Sequence, residues 1–346
     1  MLPKRQLGSD GPNITTLGLG TWAIGGPYEF GWGPVDDDES VATIRRAVEA
    51  GLNWVDTAPV YGLGHSEEVV GRALRPFCVG EDVLVLTKCG RNYYGSSNQI
   101  TSDLRPETIL RDCDESLRRL GVERIDLLQF HWPDLSTGTS VEDSWSTMVQ
   151  LIEAGKVRWG GVSNFDVALL ERCESISHVA SLQPMLNLLN RSARDEAIPW
   201  CNDHGVGVIA YAPFANGLLT GKYDRTSIAR LADDDWRRRS PNFTEPALSK
   251  NLDAMDRLRP IALRLGIDLK ELALGWALSV SGVTGAIVGA RTRDQVDEWL
   301  GASTLELSDG EVAEIEHAVR EAESALRSPA DGNRRYPVRK VDQQRE

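Results

Sequence analysis

An apolar strand followed by an amphipathic helix recurs eight times along the chain, and this alternation constrains the fold more than any other feature. Short apolar runs over 17–21, 53–56, 82–88, 126–130, 159–162, 181–183, 206–211 and 285–288 read as strands. Helical periodicity follows each of them, over 38–50, 66–74, 106–120, 141–154, 166–174, 193–204, then 248–265 with 269–280, and finally 293–300. Helix ends carry their own signals. Asp36, Asp37 and Asp38 offer N-cap chemistry, Pro106 suits a first turn, and Gly121 suits a stop. Uninterrupted alternation implies a parallel sheet. Eight units without a second domain boundary favour a closed (β/α)8 barrel, the TIM barrel of the α/β class, over an open sheet. A β-hairpin, 4–7 with 14–17, precedes the first unit. Further surplus falls in a loop over 90–105, an insert over 224–246 and the segment from Ser308. The expected organisation is one domain over 1–325 and a polar C-terminal tail over 326–346.

Charge narrows the partners. A net charge of −13 and a pI near 5.0 exclude a general binder of nucleic acid or anionic membrane, because phosphate surfaces repel such a chain. A small anionic ligand in a local basic pocket stays open, as does a homo-oligomer. The five cysteines are scattered, odd in number and free of any C-x-x-C spacing. Neither a disulfide framework nor a metal site is expected, and a reducing, cytoplasmic setting fits. No apolar run approaches the ~18 residues of a membrane span.

One motif points elsewhere. GLGTWA, over 18–23, fits G-x-G-x-x-A, with acids farther on at Asp36 to Asp38. That dinucleotide fingerprint needs a helix directly after it. The chain continues IGGPYEFGWGP instead, so the motif is set aside.

In a (β/α)8 barrel the chemistry sits at the C-terminal strand ends. Thr21, Trp22, Asp56, Lys88, His131, Ser163, Asn164, Gln183, Tyr211, Gly289 and Arg291 all fall there. Lys88 ends the apolar run DVLVLTK and, once desolvated, needs a counter-charge. Asp56 ends the neighbouring strand and is its natural partner. Tyr61 follows five residues later, and His131 closes the fourth strand. A phenol is a poor acid at neutral pH, and an adjacent ammonium is expected to make it a better one. The four groups suit protonation of a carbonyl oxygen. The hydride must come from a cofactor. Taken singly, each residue has an ordinary explanation: a surface lysine, a turn aspartate, a packed tyrosine or a structural histidine. Their coincidence at three consecutive strand ends is what singles them out.

At this point the chain resembles the aldo-keto reductases, in the bacterial branch related to potassium-channel β subunits. The strings LGLGTWAIG, GLNWVDTAPVYGLGHSEEVVGRAL, VLTKCG, RLGVERIDLLQFHWP, GKVRWGGVSNF, VGVIAYAPFANGLLTGKY and AIVGARTRDQVDEWLGA occur in family order. The resemblance implies that Asp56, Tyr61, Lys88 and His131 form the catalytic tetrad, with Tyr61 the general acid. It implies that Ser163, Asn164 and Gln183 bind the nicotinamide carboxamide and that Tyr211 stacks on its ring. Ala212, Pro213, Phe214, Gly217, Leu218 and Lys222 fall on the pyrophosphate loop, and Gly289, Arg291, Gln295 and Glu298 on the adenosine end. Gly20, Thr21, Trp22 and Asp56 are counted on the cofactor side as well. Trp22 and Trp132, with Tyr61 and His131, wall the substrate pocket.

The implied activity is NADPH/NADP+-dependent reduction of a small carbonyl substrate to the alcohol, a reversible reaction. A guanidinium suits a 2′-phosphate, which makes Arg291 the residue behind NADP. The alternatives are a redox-sensing, cofactor-binding regulatory subunit with slow turnover, and a lyase using Lys88 as a Schiff base. The sequence departs from the family pattern at Trp299, where asparagine is usual, and at Ala212, Ala215 and Asn216. Among ten tryptophans, Trp54 and Trp276 read as core, whereas Trp22, Trp32 and Trp132 fall on loops above the barrel. The mixed-charge stretch DDDWRRRSP, over 233–241, reads as a solvated, self-paired insert.

Overall fold

The computed structural model describes residues 1–93, 100–233 and 235–325. The expected tail over 326–346, and residues 94–99 of the 90–105 loop, lie outside the described residues.

The chain opens with an antiparallel hairpin, β1 (Lys4–Gln6) and β2 (Asn13–Thr15). The first three barrel units are β3 (Leu17–Gly20) with α1 (Asp37–Glu49), β4 (Trp54–Asp56) with α2 (His65–Leu74), and β5 (Leu84–Cys89). A second small hairpin, β6 (Arg91–Tyr93) with β7 (Ile100–Ser102), leads into α3 (Pro106–Leu120). Next come β8 (Ile125–Phe130), α4 (Val141–Glu153), β9 (Val157–Ser163), α5 (Val167–Glu174) and β10 (Ser181–Gln183). The single helix expected over 193–204 is two, α6 (Ser192–Asp195) and α7 (Ala197–Asp203). Pro199 explains the break, because it has no N–H for residue 195 and its ring crowds that carbonyl. Then follow β11 (Gly207–Ala210), α8 (Arg225–Ala229), α9 (Ala247–Leu265), α10 (Leu269–Ser279), β12 (Val283–Gly289), α11 (Arg293–Leu300) and α12 (Asp309–Ala325).

The eight parallel strands close in the order β10-β11-β12-β3-β4-β5-β8-β9, so the (β/α)8 barrel and its N-terminal hairpin are as expected. The segment from Ser308 is more than a surplus. It forms α12, which packs across α9 and accepts the Trp276 indole N–H on Glu316 Oε1 at 3.1 Å.

Strand parity builds two apolar layers. Trp54, Leu84, Leu86, Leu127, Ile209 and Ile287 point into the barrel, with Leu7 and Ile14 of the hairpin packed against them. Val55, Val85, Leu128 and Phe130 point outward to the helices. Trp54 fills the barrel centre, and its indole donates to Thr15 O at 2.8 Å. A Cβ on neighbouring Gly18 would lie 2.1 Å from that ring, so only glycine fits there. The same parity turns Asp56, Lys88 and Gln129 inward at the C-terminal rim, above the apolar plug. In register, Lys88 stands opposite Gln129 and Gln183 opposite Ser163, while Asp56 stands opposite Leu86, two residues before Lys88.

Candidate active site

Lys88 is 1 % exposed, and all three of its ammonium hydrogens have acceptors. Nζ lies 2.5 Å from Asp56 Oδ1, 2.9 Å from Thr57 O and 3.4 Å from Tyr61 OH. A nitrogen so occupied has no lone pair for a carbonyl carbon, which argues against the Schiff-base alternative. Asp56 Oδ2 accepts from Gln183 Nε2 at 2.9 Å and from Gln129 Nε2 at 3.5 Å. Gln183 Nε2 also donates to Gln129 Oε1 at 3.1 Å. Gln129 was missed in the sequence. Its signal was parity, since it is the one polar residue at an inward position of DLLQF beyond the apolar layer.

Tyr61 reaches the rim on the loop between β4 and α2. Its ring meets His131 edge-on, with centroids 5.8 Å apart at 82°. His131 is held by its own backbone N–H on Cys89 O at 3.1 Å, and its buried Nδ1 has no partner among the described residues. Burial holds the imidazole well below its ordinary pKa, helped by the charges of Lys88 and Arg91, so it is neutral at pH 7. Burial also lowers Lys88, while Asp56 and Glu67 oppose that shift. The expected acidification of Tyr61 is not what this geometry gives. Burial and the Asp56 charge push the phenol well above 10, with Arg91 opposing, so it stays protonated at neutral pH.

Aromatic rings wall the space above Tyr61. Trp22 packs on Trp32 edge-on at 5.5 Å and on Trp236, tilted by 34°, at 5.3 Å. Trp132 is 38 % exposed beneath the Arg91 guanidinium, 5.2 Å from its ring centre. The 233–241 stretch is self-paired as expected, through Arg237 and Asp235. It is not merely solvated, however. Trp236 is buried, and Arg237 stacks on Trp32 at 4.7 Å.

The profile of the aldo/keto reductase family matches residues 16–320. The chain belongs to that family. It is 34 % identical over 293 residues to the aldo-keto reductase YhdN of Bacillus subtilis, covering 84 % of this chain and 86 % of the relative. It is 31 % identical over 321 residues to an NADH-specific methylglyoxal reductase of Escherichia coli, covering 90 % and 96 %. The solved structure of a glycerol dehydrogenase from Gluconobacter oxydans superposes with a TM-score of 0.84 at 36 % identity, covering 96 % and 98 %. No described helix of this aldo/keto reductase is long and apolar enough to cross a membrane.

The positions that the resemblance places on the cofactor side form a connected rim in this aldo/keto reductase. Ser163 Oγ donates to Gln183 O at 2.8 Å, and Asn164 Nδ2 donates to Ser163 Oγ and His131 O, both at 3.0 Å. Tyr211 OH donates to Asn164 Oδ1 at 2.8 Å. Beyond it the backbone is left-handed at Ala212 (φ 53), Ala215 (φ 47), Asn216 (φ 60) and Gly217 (φ 101). Within this turn the Ala215 N–H donates to Ala212 O and the Gly217 N–H to Phe214 O, both at 2.9 Å. The polar rim of Ser163, Asn164 and Gln183, with the Tyr211 ring beside it and the left-handed turn beyond, fits a nicotinamide dinucleotide.

Other positions near this rim already have partners within the protein. Thr21 is fully buried, donating to Asp56 O at 3.0 Å and accepting from Ser66 at 2.7 Å. Trp299 is 2 % exposed and packs in the core layer. Glu298 pairs with Lys270 at 2.6 Å and Lys222 at 3.6 Å. Arg291 donates through Nη1 to Trp32 O at 3.1 Å and through Nη2 to Pro34 O at 2.6 Å, while its backbone N–H donates to Gln295 Oε1 at 2.8 Å. Gly20 and Gly289 pair across the adjoining strands.

Proposed function

We propose that this aldo/keto reductase reduces an aldehyde or ketone to its alcohol with NADPH, and that Tyr61 supplies the proton. One observation carries the reading: the phenol of Tyr61 and the carboxylate of Asp56 share a single buried ammonium, Lys88. A nicotinamide dinucleotide held along the Asn164–Ala212 rim would supply the hydride. Tyr61 holds its proton through neutral pH, because burial opposes the phenolate. Lys88 is placed to stabilise the negative charge that develops on the phenol oxygen as the proton leaves. Asp56 keeps that ammonium charged and fixed, and Gln183 and Gln129 fix Asp56. Neutral His131 is free to hydrogen-bond the substrate oxygen. The Trp22, Trp32 and Trp236 wall excludes water from the reacting groups.

Preference for NADPH rests on Arg291 at the end of β12, whose guanidinium plane is set by two carbonyls. The Escherichia coli relative is named NADH-specific, so this part of the proposal stands on that residue alone. Unpaired thiols at all five cysteines support a reducing, cytoplasmic location.

The test follows NADPH oxidation with 4-nitrobenzaldehyde in the wild type and in Tyr61→Phe. Turnover in the wild type and a loss of ~100-fold or more in the variant, with cofactor affinity kept, are expected. Equal activity in the two proteins overturns the role of Tyr61. Cofactor binding without turnover in the wild type favours the regulatory-subunit alternative.

A further inference from the structure

A second ion pair lies behind the first, on the opposite face of β5. Glu67, in the first turn of α2, is fully buried. Its Oε1 accepts from Thr87 Oγ1 at 2.7 Å, and its Oε2 accepts from Arg119 Nε at 2.6 Å. Thr87 is the chain neighbour of Lys88 and points outward where Lys88 points inward. Arg119, in the last turn of α3, is 9 % exposed at its side chain and also donates to Glu115 at 3.1 Å. Its aliphatic stem packs under the loop that carries Tyr61. A Cβ on Gly64 (φ +96) would lie 2.6 Å from Arg119 Cδ.

Burying a carboxylate and a guanidinium beneath a strand is costly, and an apolar pair would pack as well. The packing layer alone therefore does not account for them. Their placement does, because Glu67 grips the residue beside the ammonium and Arg119 props the loop beside the phenol.

We propose that Glu67 is a positioning residue for Lys88, acting through Thr87 and through its negative charge, and that Arg119 balances it and seats the Tyr61 loop. Two anions, Asp56 in front and Glu67 behind, hold the Lys88 ammonium on the line to Tyr61. The inference rests on the proton-donor reading above, but it concerns the charge on Lys88 and is measurable without turnover. Among the described residues, the other charged and titratable groups near Lys88 include Asp56 on β4, Tyr61 on its loop, His131 after β8, Arg91 and the buried Cys89 thiol at the end of β5, with Asp112 on α3 bound to the Gly90 N–H and Glu115 behind Arg119. Burial lowers the proton affinity of Lys88, and Glu67 stands with Asp56 among the groups that raise it.

The experiment titrates Lys88 directly. Seven lysines make ε-13C-lysine NMR of the full chain tractable, and the Lys88 signal is the one missing from Lys88→Met. In Glu67→Gln the Lys88 midpoint is expected to fall by about half a pH unit or more, and in Arg119→Gln to rise, since the unbalanced anion remains. Opposite shifts are the signature, because loosened packing moves both variants the same way or neither. If either single variant fails to fold, the neutral pair Glu67→Gln with Arg119→Met keeps the question open to measurement. Its midpoint should lie below wild type and above Glu67→Gln, or simply below wild type if that variant is lost. A wild-type midpoint in these proteins, or shifts of one sign in both single variants, overturns the proposal. Failure of the proton-donor reading would show separately, as an active Tyr61→Phe enzyme.

Discussion

The indole of Trp236 lies against that of Trp22, their centroids 5.3 Å apart at 34°. The insert between β11 and α9 thereby reaches the turn after the first barrel strand and closes the wall over Tyr61. Arg237 pins the contact by stacking on Trp32 at 4.7 Å and on Tyr223 at 5.3 Å.

Trp236→Ala should therefore raise KM for the carbonyl substrate by about tenfold, in line with ~1–3 kcal/mol for a lost apolar wall. The affinity for NADPH should change much less. Trp236→Phe should restore most of the loss, since a ring is still present to pack on Trp22. Steady-state kinetics with both substrates varied checks this, and a wild-type KM in the alanine variant removes Trp236 from the pocket.

Lys88 and Asp56 form a pair buried to 1 % and 3 % exposure. Lys88→Met leaves the Asp56 charge buried and should cost about 3–5 kcal/mol of stability. Adding Asp56→Asn to that variant should return a large part of the loss while activity stays absent. Denaturant unfolding of wild type, single and double variants separates these expectations. No recovery in the double variant would show that packing of the lysine chain, not charge, is what counts.

Most of the barrel was legible because its pattern is local. Strand runs and helical periodicity place the eight units to within a few residues, and helix 106–120 falls on its observed bounds. Asp56, Lys88 and His131 were legible because a polar group at a barrel strand end has little packing reason to be there. What stayed hidden depends on long-range contact. Nothing local to DDDWRRRSP says that Trp236 meets Trp22, and nothing in SEEVVGRAL says that Glu67 reaches Thr87. The two hydrogen bonds that Arg291 donates to Trp32 O and Pro34 O are equally invisible in sequence. The acidity of Tyr61 was misjudged for a related reason. Proximity to an ammonium is readable from strand order, whereas the depth of burial that outweighs it is not.

His131 makes a prediction about acid stability. Its imidazole is held neutral in the fold, well below its usual pKa, by burial and by the nearby cations. The unfolded chain takes up that proton below about pH 6.5, so the unfolded state then binds more protons and stability falls. The loss begins near pH 6.5, grows by at most ~1.4 kcal/mol per pH unit, and ends only at the depressed folded value. His131→Gln, which cannot titrate, should lose less stability than wild type between pH 7 and pH 5. Urea unfolding at the two pH values measures the difference, and parallel losses would show that His131 is not a source.

Ala212 holds a left-handed conformation (φ 53) at the start of the loop that follows β11. Left-handed backbone costs an L-residue roughly 1–2 kcal/mol, and glycine escapes that cost at ~0.5–1 kcal/mol of chain entropy. Ala212→Gly should thus be neutral or stabilising by up to about 1 kcal/mol, and Ala212→Val clearly destabilising. Thermal melts of the two variants should move in opposite directions or leave the glycine variant unchanged. A glycine variant as destabilised as the valine one would mean that the methyl group's packing outweighs the strain.

Arg291 has two tasks that one substitution separates. Its guanidinium binds the carbonyls of Trp32 and Pro34, which joins the end of β12 to the aromatic wall, and it is the group proposed to meet a 2′-phosphate. If the phosphate contact is made, Arg291→Ala should lower kcat/KM for NADPH by about tenfold or more, the scale of a lost charge-assisted hydrogen bond. NADH lacks that phosphate and should suffer only from the loosened Trp32 loop, so its kcat/KM should fall far less. The ratio of the two values is therefore the quantity to read, because the loop effect is common to both cofactors and cancels. A large drop in the ratio supports NADPH as the preferred dinucleotide. An unchanged ratio, with both cofactors equally weakened, would leave Arg291 as an anchor of the loop and remove the residue on which the NADPH preference rests.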